Sequence, residues 1–387
     1  MTQQQPPPPS AAVTLESCHH CGELVPVGAF CGHCGSNLVD TSGGRSRTHA
    51  FAAAPHEQVA RPVVISTLFP HLTRRHAQSF QLVLAAGILL VVALAALQLV
   101  APATIAAAVV LPVLYLLYLY EVEVYQHEPV QVLLLTVVAG AALGVAFTLV
   151  TGTFTSASLN GTQQGVLVSA VLIPVIAQVL MVATPLLLLS HAHFDETLDG
   201  LTFGVATALG FTMATVIGGN WHLLTAPLVG GASSEDVLRI LREGVLVAVV
   251  NASTTGLVTA ALWLRVRRRS RRRFVSPWRG LQASVVVAFA VQIGLGLVSY
   301  YGRSLLAVVV AYAIVAPLLL IWLRVVLHFA LLEEGAELEI GDATACPECH
   351  RMVPTMVFCP ACGVARSASA RQARPELPMP AAAEAPA

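Results

Sequence analysis

Between residues 80 and 323 the chain strings together eight apolar runs, with almost no charge inside them. A helix that crosses a bilayer needs about 20 apolar residues. The runs cover residues 80–101, 103–120, 130–150, 166–190, 201–219, 244–264, 281–300 and 305–323. The expected fold is therefore an all-α polytopic membrane bundle of about eight transmembrane helices, with the lipid bilayer as its first partner. Composition agrees: 56% of the residues are hydrophobic and 11% charged, against about 25% charged in an ordinary globular domain. Pro102 marks a tight turn between the first two runs, and Pro174 and Pro185 are expected to bend the fourth. A short amphipathic stretch from Ser234 leads into the sixth, where Glu235, Arg239 and Glu243 are spaced to pair along one helix face.

Two copies of one cysteine pattern flank this block. Cys18, Cys21, Cys31 and Cys34 make the first, and Cys346, Cys349, Cys359 and Cys362 the second, and these account for all eight cysteines. Val25-Pro26 and Val353-Pro354, Phe30 and Phe358, and Gly35 and Gly363 stand at matching places in the two copies. Each Cys-x-x-Cys turn brings two thiolates to one ion, and two turns supply the four sulfurs of a closed, structural Zn²⁺ site. Units of about twenty residues bury too little to fold alone, so metal binding must supply much of their folding free energy. The chain is expected to hold two structural Zn²⁺ ions. Two disulfides per cluster is the competing reading, which needs an oxidising compartment. His19, His20, His33 and His350 lie near enough in sequence to replace a cysteine as ligand. The organisation expected is a disordered segment over 1–17, a first zinc ribbon over 18–38, a linker over 39–78, the membrane domain over 79–334, a second ribbon over 344–365 and a disordered tail over 366–387.

Charge sets the orientation. Every basic residue is arginine, and eight of them fall between Arg265 and Arg279. Cytoplasmic loops collect basic residues near helix ends. Placing this loop inside also places Arg74 and Arg75 inside, and an even number of spans leaves both termini in the cytoplasm. Both ribbons then sit in the reducing compartment that thiolate ligation requires. The lysine-free, Ala-, Val- and Arg-rich composition points to a bacterial source, hence to the bacterial inner membrane. The arginine run reads as an orientation signal in contact with anionic lipid, and nucleic acid is not an expected partner. Asn160-Gly161-Thr162 reads as a loop turn.

Three segments carry a resemblance. Residues 115–129 read Tyr-Leu-Leu-Tyr-Leu-Tyr-Glu-Val-Glu-Val-Tyr-Gln-His-Glu-Pro. Residues 194–204 read Phe-Asp-Glu-Thr-Leu-Asp-Gly-Leu-Thr-Phe-Gly, and Gly210-Phe211 follows. Together, over about residues 105–265, they resemble the PrsW-type family of intramembrane proteases. The resemblance implies an active site built from adjacent glutamates after a helix proline, a lysine three positions on, a further Glu-Asn pair and a histidine. This sequence departs at each of those positions. Ala177 and Gln178 stand at the glutamates and Met181 at the lysine, Thr215 and Val216 at the Glu-Asn pair, and Asn251 at the histidine. Glutamate deprotonates water, and glutamate with histidine holds a catalytic metal. Glutamine and asparagine keep hydrogen-bonding capacity but are not useful bases.

The reading that follows is a PrsW-like scaffold without catalytic residues, which presents two cytoplasmic zinc ribbons to an unknown cytoplasmic protein. The alternative is an active intramembrane metalloprotease using other residues, for example His191 and His193 with Asp195, Glu196 and Asp199. His222 falls at the opposite membrane face and cannot join that group. A transporter or channel is disfavoured by the lack of charged residues in the spans. Gln98, Gln178, Asn251 and Gln292 remain as polar groups within the apolar runs. They are expected to hydrogen-bond between helices or to line the former active site. Gly140 and Gly144, and Gly294 and Gly296, are expected at close helix contacts. Glu333, Glu334, Glu337, Glu339 and Asp342 form an acidic helix end that could pair with the arginine loop.

Overall fold

The computed structural model describes residues 14–19, 21–39, 50–51, 54–68, 77–121, 130–155, 163–190, 194, 197–221, 233–266, 277–335, 340–346 and 348–365. The expectations for residues 1–13, the tail over 366–387, the arginine run beyond Val266, His20, Arg74, Arg75, His191, His193, Asp195, Glu196, His222, residues 160–162, Glu337 and Glu339 lie outside these. The chain forms two compact units. One combines the two end segments, residues 1–58 and 335–387, and the other is the helical block, residues 59–334.

The helical unit opens with α1 (Val64–Leu68) and α2 (Ala77–Ala96), followed by α3 (Val100–Glu121) and α4 (Val130–Thr155). Helix α5 runs through Gln163–Val166, a π turn at Leu167–Leu172 and Ile173–Leu188. Helix α6 is Thr197–Gly219. Helix α7 covers Ser234–Val266 with a π turn at Arg242–Leu246. Helices α8 (Pro277–Tyr301) and α9 (Leu305–Gly335) complete it. Among the described residues seven helices, α3 to α9, are long and apolar enough to cross a membrane, and Phe80–Ala96 is a shorter apolar helix. The chain is a multi-pass membrane protein.

The first apolar run ends earlier than its composition suggests. Helix α2 stops at Ala96 and Gln98 takes a left-handed conformation with φ 62°. The Gln98 N–H donates to Ala95 O at 3.0 Å and the Leu99 N–H to Leu94 O at 2.9 Å, the reciprocal pair that closes a helix at a left-handed residue. Gln98 thus sits in the turn, not inside a span. Pro102 does not make the turn. It lies in the first turn of α3, where a missing N–H costs nothing.

Helices α6 and α7 form the buried centre, and small residues let their neighbours approach. A Cβ at Gly140 of α4 would overlap Thr207 O of α6, and one at Gly144 would lie 2.6 Å from Phe211 O. Gly210 of α6 meets Val137 O of α4 in the same way. Bilayer lipid is as apolar as leucine, so close backbone packing rather than hydrophobic exclusion joins these helices. Of the glycine pair in α8, Gly296 packs on Ala170 O, while Gly294 faces open space. Four threonines within the spans satisfy themselves locally. Thr136, Thr148, Thr207 and Thr259 each donate to the carbonyl four residues back.

Among the described residues, the other unit contains three two-stranded antiparallel hairpins. Strand β1 (Leu15–Ser17) pairs with β2 (Leu24–Pro26), β3 (Ala50–Phe51) with β4 (Ala54–Gln58), and β5 (Gly341–Ala345) with β6 (Met352–Thr355). Ordered structure therefore begins before Cys18 and before residue 344, because each first cysteine needs a strand behind it to close its hairpin. The stretch expected as a plain linker, 39–78, also holds β3–β4 and α1. Phe51 there is fully buried, the reason this short hairpin persists.

The two ribbons pack on each other, and their backbone hydrogen bonds and phenylalanine–glycine contacts recur with the ribbons exchanged. The Phe30 N–H donates to Pro360 O at 3.0 Å, and the equivalent Phe358 N–H donates to Gly32 O at 2.9 Å. The Phe30 ring covers Gly363 and the Phe358 ring covers Gly35. Met356 fills the space above Gly32, and Pro360 that above Gly28. Met356 belongs to the buried cluster of the first ribbon, with Cys18, Val25, Cys31 and Cys34. Burying such a side chain contributes on the order of 1.5–3 kcal/mol, a large share for units this small.

Candidate metal centres and the polar centre of the bundle

Four turns of one design hold the eight sulfurs. After Cys18 the Gly22 N–H donates to Cys18 O at 2.9 Å, after Cys31 Gly35 does so to Cys31 O at 2.9 Å, and after Cys359 Gly363 does so at 2.8 Å. His350 N–H closes the turn on Cys346 O at 2.9 Å. All four closing residues have positive φ, between 57° and 78°, which explains three glycines there. His350 occupies the fourth place as a turn residue. The groups of candidate ligands contain cysteines alone, with the four sulfur atoms of each group within 4.8 Å of one another.

The spacing fits a tetrahedral metal site. Cys18 and Cys34 Sγ lie 3.8 Å apart, as do Cys21 and Cys31, Cys346 and Cys362, and Cys349 and Cys359. A tetrahedron of sulfurs about 2.3 Å from a central Zn²⁺ has edges of about 3.8 Å. A disulfide holds its sulfurs at about 2.05 Å, and all eight cysteines are free thiols. The disulfide reading fails on that distance, and both clusters fit a tetrahedral metal ion.

Electrostatics within each cluster make the same point. Burial pushes the Cys21 thiol up to about 12. The Cys31 thiol rises well above its ordinary range through its hydrogen bond with Cys34, whose own value that bond brings down to about 4. In the second ribbon Cys346 is held far below the thiol range by bonds with Cys359 and Cys362. Cys359 is raised to about 11 and Cys362 further, each chiefly by Cys346. With protons alone, charge rests most easily on Cys34 in the first cluster and on Cys346 in the second. A divalent cation displaces those protons and allows all four to ionise.

The first ribbon has one feature the second lacks. Ser36 Oγ lies 3.3 Å from Cys18 Sγ and 3.2 Å from Cys34 Sγ. Val364 stands at the matching place in the second ribbon.

In the bundle, α5, α7 and α8 meet around a hydrogen-bonded group of carboxamides and hydroxyls. Gln178 Nε2 donates to Thr255 Oγ1 at 3.3 Å, and Thr254 Oγ1 donates to Gln178 Oε1 at 2.9 Å. Gln292 Nε2 faces three acceptors: Asn251 Oδ1 at 2.9 Å, Gln178 Oε1 at 3.1 Å and Thr254 Oγ1 at 3.2 Å. Asn251 Nδ2 donates across to Thr212 Oγ1 of α6 at 2.9 Å. Gln178, Thr254 and Thr255 are fully buried.

Of the positions singled out from sequence, Gln178 and Asn251 come together, bridged by Gln292 and Thr254. Met181 is fully buried beside them against Ala208 and Phe211, with Ala177 at the edge of that cluster. Thr215 does not join. Its hydroxyl donates to Thr212 O within its own helix at 2.9 Å, and Thr212, one turn earlier, makes the contact with Asn251. Sequence alone marked Gln292 only as a polar residue in an apolar run, and gave no reason to choose Thr212 or Thr254. It also missed Arg324, fully buried in α9, whose Nη1 donates to Ser66 Oγ at 2.6 Å and Thr67 Oγ1 at 3.2 Å. Among the described residues, no group of three or more Cys, His, Asp or Glu side chains gathers inside the bundle. Asp199, the described member of the histidine–acid group, is buried at the start of α6.

Compared with known proteins, the chain matches neither a curated protein nor a solved structure. A family description does match over residues 128–321, half of the chain: the PrsW family intramembrane metalloproteases. The matched region runs from the start of α4 into α9, so it contains Gln178, Thr212, Asn251 and Gln292 together. It starts later than the resemblance noted in the sequence, leaving out residues 105–127, and ends later, taking in all of α8. On that span and the bundle that carries it, the chain belongs to the PrsW family of intramembrane metalloproteases.

Proposed function

We propose that this chain is a catalytically silent member of its family. It keeps the membrane scaffold and uses two Zn²⁺-loaded ribbons to engage a cytoplasmic protein. The observation that carries the reading is the polar centre of the bundle. Where the family resemblance implies glutamates and a histidine, Gln178 and Asn251 are tied to Gln292, Thr254 and Thr255. Carboxamides and hydroxyls neither deprotonate water at neutral pH nor hold an activated metal-bound water. Their hydrogen bonds support helix packing instead. The protein resides in the bacterial inner membrane with both termini cytoplasmic, which takes the shorter apolar helix Phe80–Ala96 as an eighth span beside the seven longer ones and which the arginine run after α7 and the metal-binding thiols both favour.

The test is hydrolysis of a membrane-inserted peptide library by the purified, zinc-loaded protein in liposomes. No cleavage above that of empty liposomes is expected. Cleavage that disappears with Gln178→Ala overturns the reading in favour of an active protease, and cleavage that disappears with His191→Ala or His193→Ala places that activity at the end of α5.

A further inference from the structure

We propose that the two ribbons are halves of one self-selecting module, so that metal binding at either cysteine cluster strengthens metal binding at the other. The inference rests on metal loading of the clusters, and not on catalytic silence or on an external partner. Three observations carry it. First, the contact is reciprocal: Phe30 N–H to Pro360 O and Phe358 N–H to Gly32 O, each placed one residue before a metal-binding cysteine. The backbone that makes the contact is the backbone that positions Cys31 and Cys359. Second, the first ribbon's core is completed by a side chain of the second. Met356, from the second ribbon, packs among Cys18, Val25, Cys31 and Cys34 of the first.

Third, the shapes fit in one combination only. Gly28 and Gly32 of the first ribbon stand where the second has Met356 and Pro360. In the observed pair each glycine faces the large residue of the other ribbon, and a Cβ at Gly28 would already lie 2.6 Å from Pro360 O. Two first ribbons would oppose Gly28 to Gly32 and leave a void. Two second ribbons would drive Met356 into Pro360. The pair therefore joins the beginning of the chain to its end, and each ribbon is the other's preferred partner.

A ribbon folds around its ion, so emptying one cluster removes the surface on which the other rests. Coupling between binding sites is reciprocal: each must affect the other by the same factor, commonly about 5- to 150-fold. The experiment uses the full-length protein in detergent micelles, loaded with Zn²⁺ and titrated with a chromophoric chelator. Cys346→Ser with Cys349→Ser leaves only the first cluster, and Cys18→Ser with Cys21→Ser only the second. The remaining ion is expected to bind about 10-fold or more weakly than in the intact protein, in both variants. Gly32→Leu keeps all eight cysteines but lies beside Cys31 in the first ribbon, so the second site is the one that reports coupling, and it is expected to weaken by a similar factor. Unchanged affinity at the second site in Gly32→Leu refutes the coupling. So does wild-type affinity at the surviving cluster of either cysteine variant.

Discussion

Replacing Gln292 with leucine tests the polar centre of the bundle most directly. Leucine fills nearly the same volume and suits the apolar run of α8, so the change removes hydrogen bonds with little effect on packing. Gln292 Nε2 carries two hydrogens and faces three acceptors at 2.9, 3.1 and 3.2 Å, so it makes two full bonds at a time. Measured interhelical bonds in membranes average about 0.6 kcal/mol and reach about 1.7. The expected loss is therefore about 1–3 kcal/mol. It falls unevenly. Gln178 Oε1 keeps the hydroxyl of Thr254 at 2.9 Å, whereas Asn251 Oδ1 loses the amide that binds it. A double-mutant cycle of Gln292→Leu with Asn251→Leu should then show a coupling of about 0.6–1.7 kcal/mol. The assay is reversible unfolding in mixed micelles on addition of a denaturing detergent. Fluorescence of Trp263 reports it in a background with Trp221, Trp278 and Trp322 replaced by phenylalanine, since this side chain is fully buried and donates through Nε1 to Phe194 O at 3.1 Å. A stability loss below about 0.3 kcal/mol, with no coupling to Asn251, would mean that these groups do not bond across the helices.

Two further outcomes follow from packing and from the metal environment. Gly140→Ala places a methyl group into Thr207 O and should lower stability by about 1–3 kcal/mol. Gly152→Ala meets no atom within 4 Å and should raise stability by up to about 1 kcal/mol through helix propensity; equal responses in thermal unfolding would show that α4 and α6 do not touch at Gly140. Ser36→Val strips the hydroxyl from the Cys18 and Cys34 sulfurs and should weaken zinc at the first cluster by about 10-fold or more, measured by chelator competition, whereas Val364→Ser should strengthen the second; no change in either variant removes the role assigned to that hydroxyl.

The sequence by itself determined the parts of this protein that depend on neighbouring residues or on run length. Two cysteines three apart, followed by a residue able to take positive φ, close a metal turn with local hydrogen bonds alone. All eight candidate ligands were legible for that reason. An apolar run of about 20 residues has one stable conformation in a bilayer, so the helices were legible too. The end of the first run was not. A left-handed Gln98 leaves little local mark, and Pro102 is as compatible with the start of a helix as with a turn.

Tertiary structure alone decided which of these parts meet. A helix can rotate about its own axis at little local cost. Its azimuth is set by where small residues allow a neighbour close, as Gly140, Gly144 and Gly210 do between α4 and α6. That rotation turns Thr212 toward Asn251 and leaves Thr215 bonded to its own helix, a difference of one turn that no spacing rule resolves. The same holds for the ribbons. Matching cysteines at the two ends of the chain implied two similar folds. The pairing of Gly28 and Gly32 with Pro360 and Met356 is a matter of shape between segments more than 300 residues apart, and only packing in three dimensions can express it.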